Sequence, residues 1–158
     1  MDQAVNSFRT LLMPAVGELP GETQLRAARL LPERVKAGPL DWWPTDAVPN
    51  GTGDRLLVGV AVWSVYDLTM LDLLESAVRH GQGAGVPVGV FNIDQLAAAD
   101  FERLMPGIGF VHHPPVVGHW VGGKLIEKAC GFHARELVAR LFGLDPKAMI
   151  ERPTPAGA

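Results

Sequence analysis

The stretch LLVGVAVWSVYDLTM, residues 56–70, decides the fold. Its first half, Leu56 to Trp63, is a nearly continuous apolar run, the pattern of a strand buried on both faces. Its second half changes period. From Ser64 onward, Leu71, Leu74 and Val78 fall on one helical stripe, which predicts a helix over 64–80. A buried strand feeding directly into an amphipathic helix is the opening of an α/β unit.

The rest of the core continues that alternation. Gly81–Gly85 is a flexible connector, Val86–Ile93 a second buried strand, and Asp94–Met105 a helix with Leu96, Ala99 and Leu104 available for packing. Val116–Val121 and Lys124–Ala129 read as strands joined by Gly122-Gly123, a hairpin signal. His133–Phe142 is a last helix, with Leu137, Val138 and Leu141 inward and Gly143 as its C-cap. Strand, helix, strand, helix, hairpin, helix predicts a mixed central sheet flanked by helices.

Upstream, residues 1–16 and 22–37 carry helical spacing, through Val5, Phe8, Leu11 and Leu12 and through Leu25, Ala28, Leu31 and Val35. Pro32 is expected to end or kink the second helix. Residues 38–54 read as a loop from their prolines, glycines and Asn50-Gly51 turn. The chain divides into an N-terminal helical extension and loop (1–54), a core domain (55–143) and a proline-rich, flexible tail (144–158).

Composition narrows the function classes. The formal charge of −3 is mild and the basic residues are scattered, so nucleic acid is not an expected partner. No uncharged apolar stretch reaches the ~18 residues of a membrane span. Cys130 is the single cysteine, which rules out an intrachain disulfide. The N-terminus lacks an apolar signal core. A cytoplasmic protein without membrane attachment is expected.

The residues around the first junction resemble thioredoxins. In that family Trp-Cys-Gly-Pro-Cys stands where this chain has Trp63-Ser64-Val65-Tyr66-Asp67. Asn92-Ile93-Asp94-Gln95 ends the second core strand as many members do. Pro115 stands at the family's cis-proline, and Gly123 and Gly131 follow at equal intervals, a spacing typical of the family. The resemblance covers residues 55–143 and implies a thioredoxin-like fold. It departs where it matters for chemistry. Ser64 and Asp67 replace both redox cysteines, Val58 stands at a position that is often a buried acid, and the segment between Gln95 and Pro115 is longer than usual.

Dithiol exchange needs one attacking thiolate and a second, resolving thiol, so the resemblance implies a scaffold without redox activity. Physically, Ser64-x-x-Asp67 has the form of a capping box: the hydroxyl accepts from the first turn and the carboxylate reaches back. A Ser/Asp hydrolytic site competes with that reading but lacks a positioned histidine base. The implied docking groove comprises Trp63, Tyr66, Pro114, Pro115, Cys130 and Gly131.

Three features keep alternatives open. Cys130 is either a buried small hydrophobe or a thiol for mixed-disulfide or glutathione chemistry. His112, His113, His119 and His133 are loop-packing residues or, with Asp67 and Cys130, metal ligands without recognised spacing; no metal and no cofactor is expected. Trp42 and Trp43 either cover the sheet edge or form an interface loop. The leading expectation is a protein that binds another protein as scaffold, assembly factor or chaperone. A thiol- or glutathione-dependent protein using Cys130, or a structural subunit of a larger complex, are the alternatives. The apolar N-terminal helices make a homodimer plausible.

Overall fold

Apolar runs with no polar alternation can only be satisfied by burial on both faces, and the central strands follow that rule. In the computed structural model, which describes residues 6–109 and 113–150, β2 (Asp54–Val60) and β3 (Val88–Asn92) run parallel, with Leu56 opposite Val88 and Val60 opposite Asn92. Every residue of β3 is buried. β1 (Asp41–Trp42) pairs in parallel with β3, β4 (Val116–Val121) antiparallel with β2, and β5 (Lys124–Cys130) antiparallel with β4. The order across the sheet is β1-β3-β2-β4-β5. Gly59 interrupts the apolar run because a Cβ there would come within 2.6 Å of the Phe91 ring and of Val116. The Gly122-Gly123 turn has positive φ at both residues, 58° and 79°, as a tight hairpin requires.

The pleat divides the core. Leu56, Val58, Val60, Val88 and Val90 face one cluster, together with α1 (Pro20–Lys36), α2 (Val65–Arg79) and α4 (Phe132–Phe142). Leu57, Phe91, Val116 and Trp120 face the other, closed by α3 (Ala98–Leu104), Met105 and Trp43. The molecule is thus α/β, with a five-stranded mixed sheet flanked by helices.

Several expectations are corrected. The first stretch is not a helix over 1–16; its described part holds a 3-10 turn at Phe8–Leu12. Pro14 favours the extended Met13 that ends it, and Phe8 gives its N–H to Asp72 Oδ1 at 2.6 Å. Val5 lies outside the described residues. α1 starts at Pro20, with Glu22 accepting from Leu19 N–H at 3.3 Å, and it runs through Pro32 to Lys36. The proline removes one hydrogen bond, at a cost of ~3 kcal/mol, which burial of Leu31 and Val35 on either side offsets. The buried stripe is Thr23, Ala27, Leu31 and Val35; Leu25, about 200° round the helix from Thr23, is 75% exposed.

The expected 38–54 loop contains β1. The expected helix over 94–105 is a 3-10 turn at Ile93–Gln95 followed by α3, because Leu96 is extended and Asn92 Oδ1 holds the Asp94 N–H at 3.0 Å; Ala99 is exposed. The tail is not wholly loose. α5 (Pro146–Ile150) docks on α2 and α4, and Met149 is fully buried. Residues 151–158 lie outside the described residues. Among the described residues, no helix is long and apolar enough to cross a membrane.

Candidate functional site

β2 ends at Val60, and a short turn, closed by Ser64 N–H to the Ala61 carbonyl at 3.0 Å, delivers the chain into α2. Ser64 is the N-cap, and its Oγ accepts from Asp67 N–H at 3.3 Å. That half of the capping box is as expected. The carboxylate goes elsewhere: Asp67 Oδ2 accepts from Ala61 N–H at 2.9 Å, three residues before the cap. Ser64 Oγ also lies 3.3 Å from Asp67 Oδ1 as a donor.

Asp67 is fully buried. Its counter-charge is Arg135 on α4, whose Nη2 donates to Asp67 Oδ1 at 3.3 Å and to the Pro114 carbonyl at 3.4 Å. Burial pushes the Asp67 carboxyl up to about 6, although the Ala61 N–H, the Arg135 guanidinium and the Ser64 hydroxyl all pull it down. The sequence reading missed Arg135. The available signal was a basic residue set between Ala134 and Val138 on the buried stripe of α4.

The Pro114-Pro115 peptide is cis. The Pro115 carbonyl accepts from Gly131 N–H at 2.8 Å, which holds the 113–115 segment against the end of β5. Gly131 has φ 61°, and a Cβ there would stand 3.0 Å from the His113 Cβ. These contacts bring the α2 start, the proline segment and the β5–α4 junction together around a groove of about 740 Å³. Trp63, Tyr66, Pro114, Cys130 and Gly131 all line it, whereas Pro115, expected in the groove, is not part of the lining and meets Gly131 through its carbonyl. Phe132, His133 and Arg135 add to the lining. Trp63 is 51% exposed and Phe132 49%, so the rim presents two large apolar side chains to solvent.

Cys130 is half-buried, and burial pushes its thiol up. His113 and His133 both line the groove, but His119 does not join them. His119 sits on β4 with Nε2 3.3 Å from Asp54 Oδ2, at the far end of β2 from the groove. His133 Nδ1 lies 3.0 Å from Glu136 Oε1, and His112 falls outside the described residues. Among the described residues, no group of three or more His, Cys, Asp or Glu is placed to hold a metal ion.

Trp42 and Trp43 do not form a displayed loop. Trp42 belongs to β1; Trp43 donates its N–H to the Val90 carbonyl and its Nε1–H to the Ala47 carbonyl, at 2.9 and 2.8 Å. Both are half-buried and pack at the sheet edge, in line with the first of the two readings that the sequence leaves open. No family model matches the chain, and no curated protein matches it in sequence.

Proposed function

We propose that this chain is a thioredoxin-like protein without dithiol chemistry that works by docking another protein across the Trp63–Phe132 groove, as a scaffold, assembly factor or chaperone. The strand order β1-β3-β2-β4-β5, the antiparallel β4–β5 hairpin and the cis proline ahead of β4 support the thioredoxin-like reading. The observation that carries the function is Asp67. At the position of a resolving thiol stands a buried carboxylate, paired with Arg135 and bonded to the chain that precedes the helix. A group held on three sides supports the framework of the groove, and the apolar rim left open beside it is suited to binding. A cytoplasmic setting fits a lone, unpaired cysteine.

Thiol chemistry at Cys130 has the local electrostatics against it. A reactive thiol needs its pKa lowered by a cation or helix N-terminus, whereas burial raises this one. The test has two arms. Insulin-disulfide reduction with dithiothreitol should not exceed the buffer control. Hydrogen exchange on the complex with a purified partner should show protection at 63–66 and 130–133, abolished by Trp63→Ala. Turnover above the control, or protection confined to another face, overturns the proposal.

A further inference from the structure

The groove's polar lining is one-sided. Its ionisable side chains are Arg135, His113, His133, the Tyr66 phenol and the half-buried thiol of Cys130, and among the described residues no carboxylate lines it. Asp67 lies beneath, with Oδ2 taken by Ala61 N–H and Oδ1 by Ser64 and Arg135. Glu136, outside the lining, is engaged with His133 Nδ1. Arg135 is itself incompletely used. The residue is 9% exposed, both of its hydrogen bonds run through Nη2, and its buried Nε has no acceptor among the described residues. A buried guanidinium short of acceptors is a costly arrangement that an incoming acceptor relieves.

The backbone beside the groove offers a binding chain little. Pro114 and Pro115 have no N–H, the Pro114 carbonyl accepts from Arg135, and the Pro115 carbonyl accepts from Gly131. These two residues can donate nothing to strand-like pairing of a ligand, and each carbonyl already accepts one hydrogen bond. Recognition passes to side chains: the guanidinium and imidazoles, flanked by the exposed rings of Trp63 and Phe132.

We infer that the groove takes an acidic segment of a partner protein, an Asp or Glu carboxylate directed at Arg135 with large apolar neighbours seated on Trp63 and Phe132. This rests on the docking reading above and adds the chemistry of what docks. The carboxylate accepts from N–H groups that Asp67 leaves unengaged, a charge-assisted contact in a partly desolvated setting.

The test is fluorescence anisotropy with the full chain and three labelled short peptides, in which a central Glu, Gln or Lys is flanked by Leu and Phe. The Glu peptide should bind about tenfold tighter than the Gln peptide, the size of one charge-assisted hydrogen bond, and the Lys peptide weakest. Trp63→Ala and His133→Gln, both at exposed side chains, should each weaken the Glu peptide. The pair Asp67→Asn with Arg135→Met, where it folds, should abolish the Glu-over-Gln preference. Equal or tighter binding of the Lys peptide overturns the inference. So does insensitivity to Trp63→Ala, or displacement by reduced glutathione as effective as by unlabelled peptide, which would assign the site to a small carboxylate. A partner that protects the groove without any acid preference overturns this inference and leaves the docking reading standing; a partner that protects another face removes both.

Discussion

Asp67 carries two tasks at one atom group. Its backbone N–H is capped by Ser64, and its carboxylate ties Ala61 to Arg135 across the molecule. Burial wins over these partners, since the carboxyl rises from its ordinary 3.8 to about 6. The sign follows from which state holds the proton more tightly. Between about pH 4 and 6 the folded chain is protonated at Asp67 while the unfolded chain is not, so the Asp67 contribution to stability falls as pH rises through that window. Two pKa units correspond to about 3 kcal/mol. Asp67→Asn should therefore flatten that part of the stability–pH curve, measured by urea denaturation at fixed salt. Arg135→Met, which removes a cation that lowers the carboxyl, should extend the upper edge of that window to higher pH. Glu18, held down to about 2 by Arg26, is present in all three proteins and cancels in the differences. A parallel pair of curves for Asp67→Asn and the parent would show that Asp67 ionises as an ordinary carboxylate.

At the level of elements, α1 and α2 are locked by one bidentate pair. Arg34 Nη1 and Nη2 donate to Glu75 Oε2 and Oε1 at 2.9 and 2.7 Å, and both side chains are under a tenth exposed. The Phe8 ring lies 4.0 Å from the Arg34 guanidinium, so the N-terminal turn closes over the pair. Glu75→Gln should cost about 3–5 kcal/mol, because it strands a buried guanidinium. Glu33→Gln, in the exposed pair with Lys36, should change stability by under about 0.5 kcal/mol. Denaturation midpoints at constant slope would check both; equal effects would mean that the Arg34–Glu75 pair is solvated. This pair also marks the limit of what the sequence reveals. The strands, the hairpin and the α2 start are legible, because each is encoded by neighbours: an unbroken apolar run, Gly122-Gly123, Ser64 three residues before Asp67. Trp63, Tyr66 and Cys130 were expected at a groove only because the family resemblance implies one there. Arg34–Glu75 and Arg135–Asp67 join positions 41 and 68 residues apart, and no local period announces such a pair. β1 is two residues long and exists only through its register with β3. Leu25 was misplaced because helical spacing fixes a stripe's period without fixing which of two stripes meets the core.

At the scale of the molecule, the boundary drawn in the sequence at residue 54 does not divide the packing. Phe8, Leu11, Ala27, Leu31 and Val35 belong to the same buried cluster as Leu68, Leu71 and Leu74 of α2, and Met149 joins it from the other end of the chain. The N-terminal segment also supplies partners for Asp72, which accepts from the backbone of Phe8 and Arg9 and pairs with the Arg9 side chain. α2, whose first turn builds the groove, is thus packed in its second half, at Asp72 and Glu75, by residues that a minimal α/β unit starting at β2 would lack. Two consequences are measurable together. The full chain should unfold in a single cooperative transition, with fluorescence and circular dichroism coincident. Phe8→Ala should lower global stability by about 3–5 kcal/mol, a fall in melting temperature of about 2–4 °C per kcal/mol for a chain of this size, although Phe8 lies far from β2 in sequence. A chain beginning at Asp54 should lose the cooperative transition, because removing α1 and the N-terminal turn bares apolar residues of α2, takes Phe8 and Arg9 from Asp72 and leaves Glu75 only its longer pair with Arg79. Two separate transitions, or a folded 54–150 fragment with native melting, would show instead that the N-terminal segment is an appendage. The groove would then owe nothing to it.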